Sequence, residues 1–299
     1  MLQTKKSVAE GVNEMSFNIT HARLDPAYCL APGLFRSLKK GDRKKHKLDV
    51  TYTFGEDRIE FSGPEPLGTD DMRVLQGLVA MAAITGETGR GILLKPDTQS
   101  TEGKQLRLFL DLRWDAAEQD SMIAKGSYRQ LAQELGYATD SGGSFKTIRE
   151  SIERLWKVSI IVQRQGRRQG SRILSEYASD EDTGKLFVAL NPRIADAIVG
   201  TRPHTRIELS EVRKLETDPA RLMHQRLCGW IDQGKSGRAS LDTLCGYVWT
   251  DATNNKNTMK TRRQTARKAL AELVGVGWTV SEYVKGKFEI NRPKTQPMP

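Results

Sequence analysis

Two stretches of the chain repeat the same order of apolar and polar positions. The first runs from Ser127 to Tyr177 and the second from Ser240 to Ile290. Each begins with a serine at a predicted helix N-cap, followed by a short apolar helix and a turn rich in small polar residues. A basic helix, a β-branched strand, a basic tip with a glycine and a second strand complete each copy. This order of elements is typical of a winged helix-turn-helix.

The basic helices of the two copies share the pattern Lys-Thr-x-Arg. The serine caps precede this pattern by 19 residues in the first copy and by 20 in the second. The shared residues are Lys146, Thr147 and Arg149 in the first copy and Lys260, Thr261 and Arg263 in the second. Two copies in one chain predict a monomer that contacts DNA with two modules.

A β-hairpin and a helix are predicted before the first copy. Leu48–Phe54 alternates and is rich in β-branched and aromatic residues, which indicates a strand. Residues 58–63 are its predicted partner across a turn at Gly55–Asp57. Thr69 is the predicted N-cap of a helix with apolar residues at helical spacing.

Three other segments are assigned more coarsely. Residues 86–105 predict a loop or a loose hairpin, and the alternating residues 106–114 predict a strand. A second hairpin follows the first copy, with an acidic tip at Asp180–Asp182. This tip is either a contact for a protein partner or a solvated turn.

These elements predict an α+β fold built from two tandem winged helix-turn-helix domains joined by a short linker. Residues 1–24 are polar and aperiodic, and we expect a flexible N-terminal arm there. The expected N-terminal winged-helix domain spans 25–205 and the C-terminal one 206–293, with the linker in the sequence GTRPHTR. Residues 294–299 predict a disordered tail.

Composition and charge favour a polyanionic partner. The 299 residues carry a formal net charge of +10, which points to nucleic acid before membrane. An alternative is a soluble protein whose basic charge is incidental. No apolar run approaches the roughly 18 residues of a membrane span, and no signal peptide is predicted, so a cytoplasmic protein is expected. An odd number of unpaired cysteines fits a reducing compartment; they are Cys29, Cys228 and Cys245.

The helix of the second copy carries the stronger DNA-binding signal. Residues 252–271 include no acid, and guanidinium groups suit guanine edges while an amide suits adenine. The predicted DNA-contacting residues are Lys256, Lys260, Arg262, Arg263, Gln264, Arg267 and Lys268. The predicted buried residues are Ala266, Leu270, Leu273 and Val274. Thr258 or Thr261 is the predicted cap. A solvated basic helix face is the alternative.

The two wings and the first helix supply the remaining predicted contacts. In the second copy, Lys285 and Lys287 flank a tight Lys-Gly-Lys tip, while Trp278 is assigned to the core. The first helix is more mixed in charge, so we expect the first copy to contact mainly the DNA backbone. Its predicted contacts are Lys146 and Arg149 on the helix and Arg164, Arg167, Arg168 and Arg172 on the wing.

A basic cluster near the N-terminus leaves three alternatives open. It is an arm that contacts DNA phosphates, a contact for an acidic protein, or a solubilising loop. Its members are Lys39, Lys40, Arg43, Lys44 and Lys45.

Two patterns that suggest other chemistry have simpler explanations. Residues Gly229–Ser236 match the spacing G-x-x-x-x-G-K-[ST], but a helical segment precedes them, whereas a phosphate-binding loop follows a strand. We therefore predict a turn between helices. His224 and Cys228 lie four residues apart, but a structural zinc needs four ligands. No catalytic residue, cofactor or metal is predicted.

Several long blocks of the sequence resemble a known family. They include CLAPGLFRSLKKG, IEFSGPEPLG, KGSYRQLAQELG, IERLWKVSII, HQRLCGWID, ASLDTLCGYVW and ELVGVGWTV, within residues 25–293. The chain resembles the RepC-type, iteron-binding replication initiators of IncQ-like broad-host-range plasmids. Departures lie in the first twenty residues, around 86–105 and in the turn at 251–257, which precedes the second basic helix.

The resemblance implies a function beyond DNA binding. Members of this family bind directly repeated iterons at the plasmid origin and promote opening of adjacent AT-rich DNA. The plasmid's helicase and primase then act there, and the family is not known for nucleotide hydrolysis. The resemblance also implies a plasmid-encoded bacterial protein and leaves self-association open.

The residue patterns alone leave three other functions open. A transcriptional regulator with two winged helices has the same helix chemistry. A nucleotide-hydrolysing protein acting on DNA would use the Gly229–Ser236 motif. A partner-binding scaffold would carry its basic charge incidentally, and its DNA binding would depend little on salt.

Overall fold

The chain forms a mixed fold of helices and antiparallel strands. A computed structural model describes residues 18–84, 91–94, 99–101, 104–105, 121–138, 142–180 and 183–294. Several predictions fall outside these residues: the arm up to residue 17, most of the segment 86–105, all of the segment 106–114, residues 181 and 182 of the acidic tip, and the tail from residue 295.

Fifteen elements are described before residue 200 and eight after it. The first set is β1 (His21–Leu24), α1 (Pro26–Leu30), α2 (Asp42–Lys45), β2 (Leu48–Phe54), β3 (Asp57–Gly63), α3 (Thr69–Ala82), β4 (Gly91–Leu94), β5 (Ser121–Ser127), α4 (Tyr128–Glu134), α5 (Gly142–Trp156), β6 (Ser159–Arg164), β7 (Arg167–Arg172), β8 (Leu174–Ser179), β9 (Lys185–Leu190) and α6 (Pro192–Val199). The second set is β10 (Thr205–Glu208), α7 (Leu209–Lys214), α8 (Asp218–Trp230), β11 (Ser236–Ser240), α9 (Leu241–Val248), α10 (Lys256–Gly275), β12 (Thr279–Val284) and β13 (Lys287–Asn291).

The predicted hairpin before the first copy is confirmed. β2 and β3 pair antiparallel from Leu48 opposite Gly63 to Phe54 opposite Asp57. The turn is one residue shorter than predicted, because Asp57 already belongs to β3. Gly55 adopts a positive φ of 60°, which a two-residue hairpin turn requires.

Helix α3 lies at the centre of the fold. Every residue of α3 except Asp70 is buried, so the helix packs on all sides and not along one stripe. The predicted cap at Thr69 is wrong by one residue. Gly68 is the N-cap, and its N–H donates to the carboxylate of Asp71 at 2.7 Å. Gly77 allows α4 to approach, since a Cβ there would lie 2.7 Å from Leu131.

The two copies follow the predicted order of helices and hairpins. Both serine caps are confirmed: Ser127 accepts a hydrogen bond from the N–H of Gln130, and Ser240 from that of Thr243, each at 3.1 Å. The first copy comprises α4, α5 and the β6–β7 hairpin. The second comprises α9, α10 and the β12–β13 hairpin. Apart from Val274, their cores hold the predicted apolar residues, including Trp278, which is 2% exposed.

Strand pairing distinguishes the two copies. In the second copy, β11 precedes the helices and pairs with β13, which gives a three-stranded sheet in the order β11-β13-β12. In the first copy, the preceding strand β5 pairs instead with β4 and β9. The β6–β7 hairpin joins β2 and β3 in a separate sheet of order β2-β3-β6-β7. The first hairpin is therefore part of a larger sheet that the repeat pattern did not predict.

The halves of the chain on either side of residue 205 share one hydrophobic core, which extends from Ile19 to Ile290. The amide of Gln76 donates to that of Gln225 at 2.8 Å across the junction. A Cβ at Gly229 would lie 2.7 Å from the Cβ of Cys29, which shows how closely α8 approaches α1. The division into two domains at residue 205 stays a prediction.

The end of the predicted flexible arm is part of the fold. Residues 21–24 form β1, which pairs antiparallel with β10 from His21 opposite Glu208 to Leu24 opposite Thr205. Ala22 and Leu24 are fully buried. The assignment of these residues to the arm is corrected, because their partner strand is almost two hundred residues away in the sequence and leaves no local signal.

Candidate nucleic-acid interface

The N-cap of helix α10 is Asn255, three residues before Thr258, the first of the two predicted caps. The side chain of Asn255 accepts hydrogen bonds from the N–H groups of Asn257 and Thr258, at 2.9 and 3.1 Å. Asparagine is among the preferred N-cap residues because its short amide reaches these unsatisfied donors. Thr261 lies inside the helix, where its hydroxyl donates to the carbonyl of Asn257. Neither Thr258 nor Thr261 is the cap.

The buried side of α10 differs from the prediction at one position. Ala266, Leu270 and Leu273 are buried as predicted, and Ala269 joins them. Val274 is 50% exposed, so its assignment to the core is wrong. Each step of four residues advances a helix by about 40° beyond a full turn, which carries Val274 past the edge of the buried arc.

The opposite side of α10 carries a row of exposed polar residues at four-residue spacing. We call this row the cation ridge, and its members are Lys256, Lys260, Gln264 and Lys268. Side chains four apart on a helix form a continuous ridge. Within the described part of the chain, none of the four side chains forms an ion pair. The ridge therefore presents three ammonium groups and one amide to solvent.

The neighbouring arginines of α10 are held by acids from other elements. Arg263 donates Nε and Nη2 to the carboxylate of Asp242 on α9, at 2.7 and 2.8 Å. This pairing lowers the pKa of Asp242 and raises that of Arg263. Arg262 donates to both the carbonyl and the carboxylate of Asp251, and its guanidinium lies 5.7 Å from the ring centre of Trp249.

Arg267 connects α10 to the β12–β13 hairpin. It donates Nη1 and Nη2 to the carboxylate of Glu282, at 2.7 and 2.9 Å. The same carboxylate accepts the N–H of Gly286 at the hairpin turn, at 2.6 Å. These hydrogen bonds, first those of Arg267, lower the pKa of Glu282 to about 2. The two predicted wing contacts beside this turn, Lys285 and Lys287, are exposed.

In the first copy, most of the side chains predicted to contact DNA also contact other residues of the protein. Its helix places Lys146 3.9 Å from Glu150 and Arg149 over the ring of Tyr128. On the hairpin, two arginines pair with acids of the adjacent β2–β3 hairpin, and one covers a tryptophan ring. The contacts are Arg164 with Glu56 at 2.6 Å, Arg168 with Glu60 at 3.0 Å, and Arg172 over Trp156 at 4.3 Å. Arg167 is exposed at the start of β7.

One residue of the basic cluster near the N-terminus, Arg43, holds the fold together. Arg43 donates to the carbonyl of Pro66 at 2.8 Å and to the buried carboxylate of Asp71 at 3.1 Å. The other oxygen of that carboxylate accepts a hydrogen bond from Nε of Arg154 at 2.8 Å. Arg43 thus fixes α2 to α3. The remaining predicted members are exposed: Lys39, Lys40, Lys44 and Lys45.

The family model for Replication protein C (RepC) matches residues 16–294. The chain belongs to the RepC replication protein family. Membership supports a role in the initiation of plasmid replication. No curated protein matched the chain by sequence.

Two solved structures share the fold of this RepC-family chain. A crystal structure of selenomethionine derivatives of domains 2 and 3 of RctB aligns with a TM-score of 0.52 and 12% identity, over 91% of this chain and 100% of that one. A second crystal structure of RctB domains 2 and 3 aligns with a TM-score of 0.51 and 11% identity, over 90% and 97% of the two chains. At this identity the similarity concerns the fold alone.

The sequence did not predict the acids that pair with the arginines of the candidate interface. The absence of acids from residues 252–271 is correct for α10 itself, yet Asp242 and Glu282 reach the helix from α9 and β12. Glu56 and Glu60 similarly reach the first wing from the β2–β3 hairpin. Glu56 and Glu282 lie at or beside hairpin turns, which is a local signal, but only the tertiary packing assigns each of the four acids its arginine partner.

The Gly229–Ser236 motif lies between a helix and a strand. Gly229 is in the last turn of α8, and Ser236 begins β11. A phosphate-binding loop has the opposite order, because the N-terminus of the following helix completes its phosphate site. Lys235 is exposed in the turn. The prediction of a turn is confirmed, although the turn leads into a strand and not a second helix.

His224 and Cys228 belong to a buried network that packs the second half of the protein. His224 Nε2 lies 2.6 Å from the Glu211 carboxylate, which also accepts the indole N–H of Trp278 at 2.9 Å. Burial lowers the pKa of His224, but Cys228 and Glu211 outweigh it and raise the pKa to about 10. Among the described residues, no group of three or more potential ligands is arranged to hold a metal ion.

All three cysteines are buried free thiols. Burial, the largest effect, raises the pKa of Cys29 and of Cys245, which disfavours their reactive thiolate forms. No helix in the described ranges is long and apolar enough to span a membrane.

Proposed function

We propose that the protein initiates plasmid DNA replication by binding directly repeated iterons at the origin in a sequence-specific manner. The observation that carries this proposal is the cation ridge of α10, beside a hairpin with lysines at its turn. A helix of this width fits the major groove, where ammonium groups contact phosphates and guanine edges and the amide of Gln264 suits adenine. Family membership supports the same role.

In this proposal the two copies act as tandem winged helix-turn-helix units on double-stranded DNA. The second copy has the complete order of helix, strand, two helices and hairpin, and its three strands form one sheet, which supports base recognition by α10. The first copy contributes backbone contacts through Lys146 and Arg149 and through its wing arginines. Lys39, Lys40, Lys44 and Lys45 add contacts to phosphates.

The paired arginines contribute orientation as well as charge. Asp242 holds Nε and Nη2 of Arg263 and leaves Nη1 to donate to DNA. A guanidinium that is already oriented loses less conformational entropy on binding than a free one. Arg262 and Arg267 are also oriented, by Asp251 and Glu282, but both Nη nitrogens of each already donate within the protein.

Origin opening is proposed to use binding energy alone. Several protomers on adjacent repeats bend the DNA, and AT-rich or pyrimidine–purine steps unstack at the lowest cost. This chain would consume no nucleotide. The plasmid helicase and primase then load on the exposed strands, and contacts between neighbouring protomers provide the proposed self-association.

The test begins with selection of duplexes from a random-sequence library by the full-length protein. Fluorescence anisotropy across a salt series then compares the wild type with Lys260→Ala, Gln264→Ala and the control Lys235→Ala, an exposed lysine away from the ridge. We expect Lys260→Ala to reduce the salt slope by about 0.9, Gln264→Ala to relax one base position, and the control to bind normally. Selection of unrelated sequences would contradict iteron recognition.

Opening is tested separately with permanganate on supercoiled DNA that carries several copies of the selected sequence beside an AT-rich tract. Thymines should become reactive with this protein alone. Reactivity only after helicase is added would refute opening by binding energy while leaving sequence recognition intact.

A further inference from the structure

The hairpin of the second copy exposes two adjacent apolar side chains beside its lysines. We define the wing tip as residues 283–287. Tyr283 is 47% exposed and Val284 is 53% exposed. Single exposed apolar residues are common on soluble proteins, but this pair is contiguous and projects at the end of a hairpin. Lys285 and Lys287 follow directly, so the apolar pair is flanked by positive charge.

A β-bulge places Tyr283 outside the regular pairing of the strands. Glu282 lies opposite Phe288 and Val284 opposite Lys287, so Tyr283 is the extra residue on β12. Bulges redirect side chains and increase local twist. The ring of Tyr283 lies 5.2 Å from the guanidinium of Arg238, on the neighbouring part of the sheet. The same guanidinium pairs with Glu289 at 3.0 Å, so the face of the sheet beside Tyr283 carries an oriented cation.

The wing tip is fixed to both helices of the second copy. The N–H of Gly286 donates to Glu282, which is itself held by Arg267 of α10. The carbonyl of Gly286 accepts the N–H of Leu241 at the start of α9, at 2.8 Å. These hydrogen bonds set the position of the tip relative to α10 before any ligand arrives, which reduces the ordering cost on binding.

We propose that the wing tip is a minor-groove wedge, with Val284 and Tyr283 placed against or between bases while Lys285 and Lys287 contact the flanking phosphates. Apolar wedges of this kind partly unstack a base step and bend the duplex. The flanking positive charge favours DNA over an apolar protein partner, because a protein interface core is depleted of lysine. The inference rests on the proposed function and adds a place where the DNA is deformed.

The wedge is tested with the double variant Tyr283→Ser/Val284→Ser on a duplex that carries one selected site. Val274→Ser is the matched control, since Val274 is 50% exposed on α10 and lies outside the tip. Bending is measured by energy transfer between end labels, and unstacking by 2-aminopurine placed at each AT step. Thermal unfolding of each variant verifies that the fold is retained.

We expect the double variant to bind roughly tenfold more weakly, to bend the duplex less and to lose the 2-aminopurine signal. Its salt slope should stay unchanged, whereas Lys285→Ala should reduce the slope by about one phosphate contact. The control should match the wild type in every measurement.

Wild-type bending and unstacking by the double variant would overturn the wedge. A defect seen only on duplexes with two adjacent sites would also overturn it, because the tip would then be a contact between protomers. If the wild type selects no sequence at all, the proposed function fails together with the wedge. If the wild type binds selectively and the double variant bends the duplex as the wild type does, only the wedge proposal fails and the proposed function stands.

Discussion

Arg267 and Glu282 form a bidentate ion pair that joins the proposed recognition helix to its wing. The two nitrogen–oxygen distances are 2.7 and 2.9 Å. Both side chains are exposed in part, so the pair contributes little to global stability. Its effect is geometric, because the same carboxylate also holds the N–H of Gly286 at the hairpin turn. The pair thereby fixes the angle between two proposed DNA-binding elements.

Removing either partner of this pair should weaken DNA binding. We expect Arg267→Ala and Glu282→Gln each to reduce affinity for a selected duplex, because each frees the wing from α10. The double variant should be no weaker than the worse single variant, since both changes break one contact. Anisotropy titrations of the wild type, the two single variants and the double variant complete this double-mutant cycle. Tighter binding by Glu282→Gln would show instead that the carboxylate competes with phosphate.

The carboxyl group of Glu282 should titrate well below an ordinary glutamate. Its pKa is lowered to about 2 from 4.5, so the small stability that this exposed pairing adds is complete above pH 4.5 and is lost as the pH falls towards 2. Carboxyl-carbon NMR titration of the wild type should give this low midpoint. In Arg267→Ala the midpoint should return close to 4.5, and an unchanged midpoint would exclude Arg267 as the main cause.

Loss of Glu211 should destabilise the protein strongly. Glu211→Gln would leave the buried imidazolium of His224 without its counter-charge, and such a change costs about 3 kcal/mol. Urea unfolding measures the loss. Glu289→Gln serves as the control, because it removes a surface pair with Arg238 and should leave the unfolding free energy nearly unchanged.

Stability should also fall in alkaline solution through His224. Its pKa is raised from 6.5 to about 10, so its stabilising contribution is complete below pH 6.5 and is lost as the pH rises through 10. Urea midpoints between pH 7 and 10 should decline in the wild type. The decline should be shallower in His224→Gln, which has no titrating ring, and an equal decline in both proteins would assign it to other groups.

Arg43 and Lys44 should separate structure from DNA contact within the basic cluster. Arg43→Ala removes one partner of the buried Asp71 carboxylate and should lower the unfolding free energy by about 1–3 kcal/mol. Lys44→Ala removes an exposed charge and should reduce DNA affinity and the salt slope without changing stability. The reverse pattern would mean that α2 is not fixed through Arg43.

Substitutions in the Gly229–Ser236 motif should affect packing and not nucleotide chemistry. Gly229→Ala should destabilise the protein by about 1–3 kcal/mol because its Cβ would overlap Cys29, although alanine normally favours a helix. Lys235→Ala should be neutral in stability and in ATPase assays. An ATPase activity abolished by Lys235→Ala would revive the nucleotide-site alternative.

Local sequence patterns determined the elements of the candidate site. Ser127 and Ser240 cap helices because a serine hydroxyl satisfies donors two or three residues away. The exposed side of α10 follows from helical periodicity over the same twenty residues. These features depend on contacts between residues close in sequence, and they can therefore be predicted from the sequence alone.

The tertiary structure alone decided how the elements are joined and which charges are available. The β6–β7 hairpin pairs with β3, and β1 pairs with β10, through hydrogen bonds between backbones far apart in sequence. Asp242 forms an ion pair with Arg263, and Glu282 forms one with Arg267, because the fold brings α9 and β12 against α10. Such pairings depend on which surfaces the shared core brings together, and no local pattern of residues specifies them.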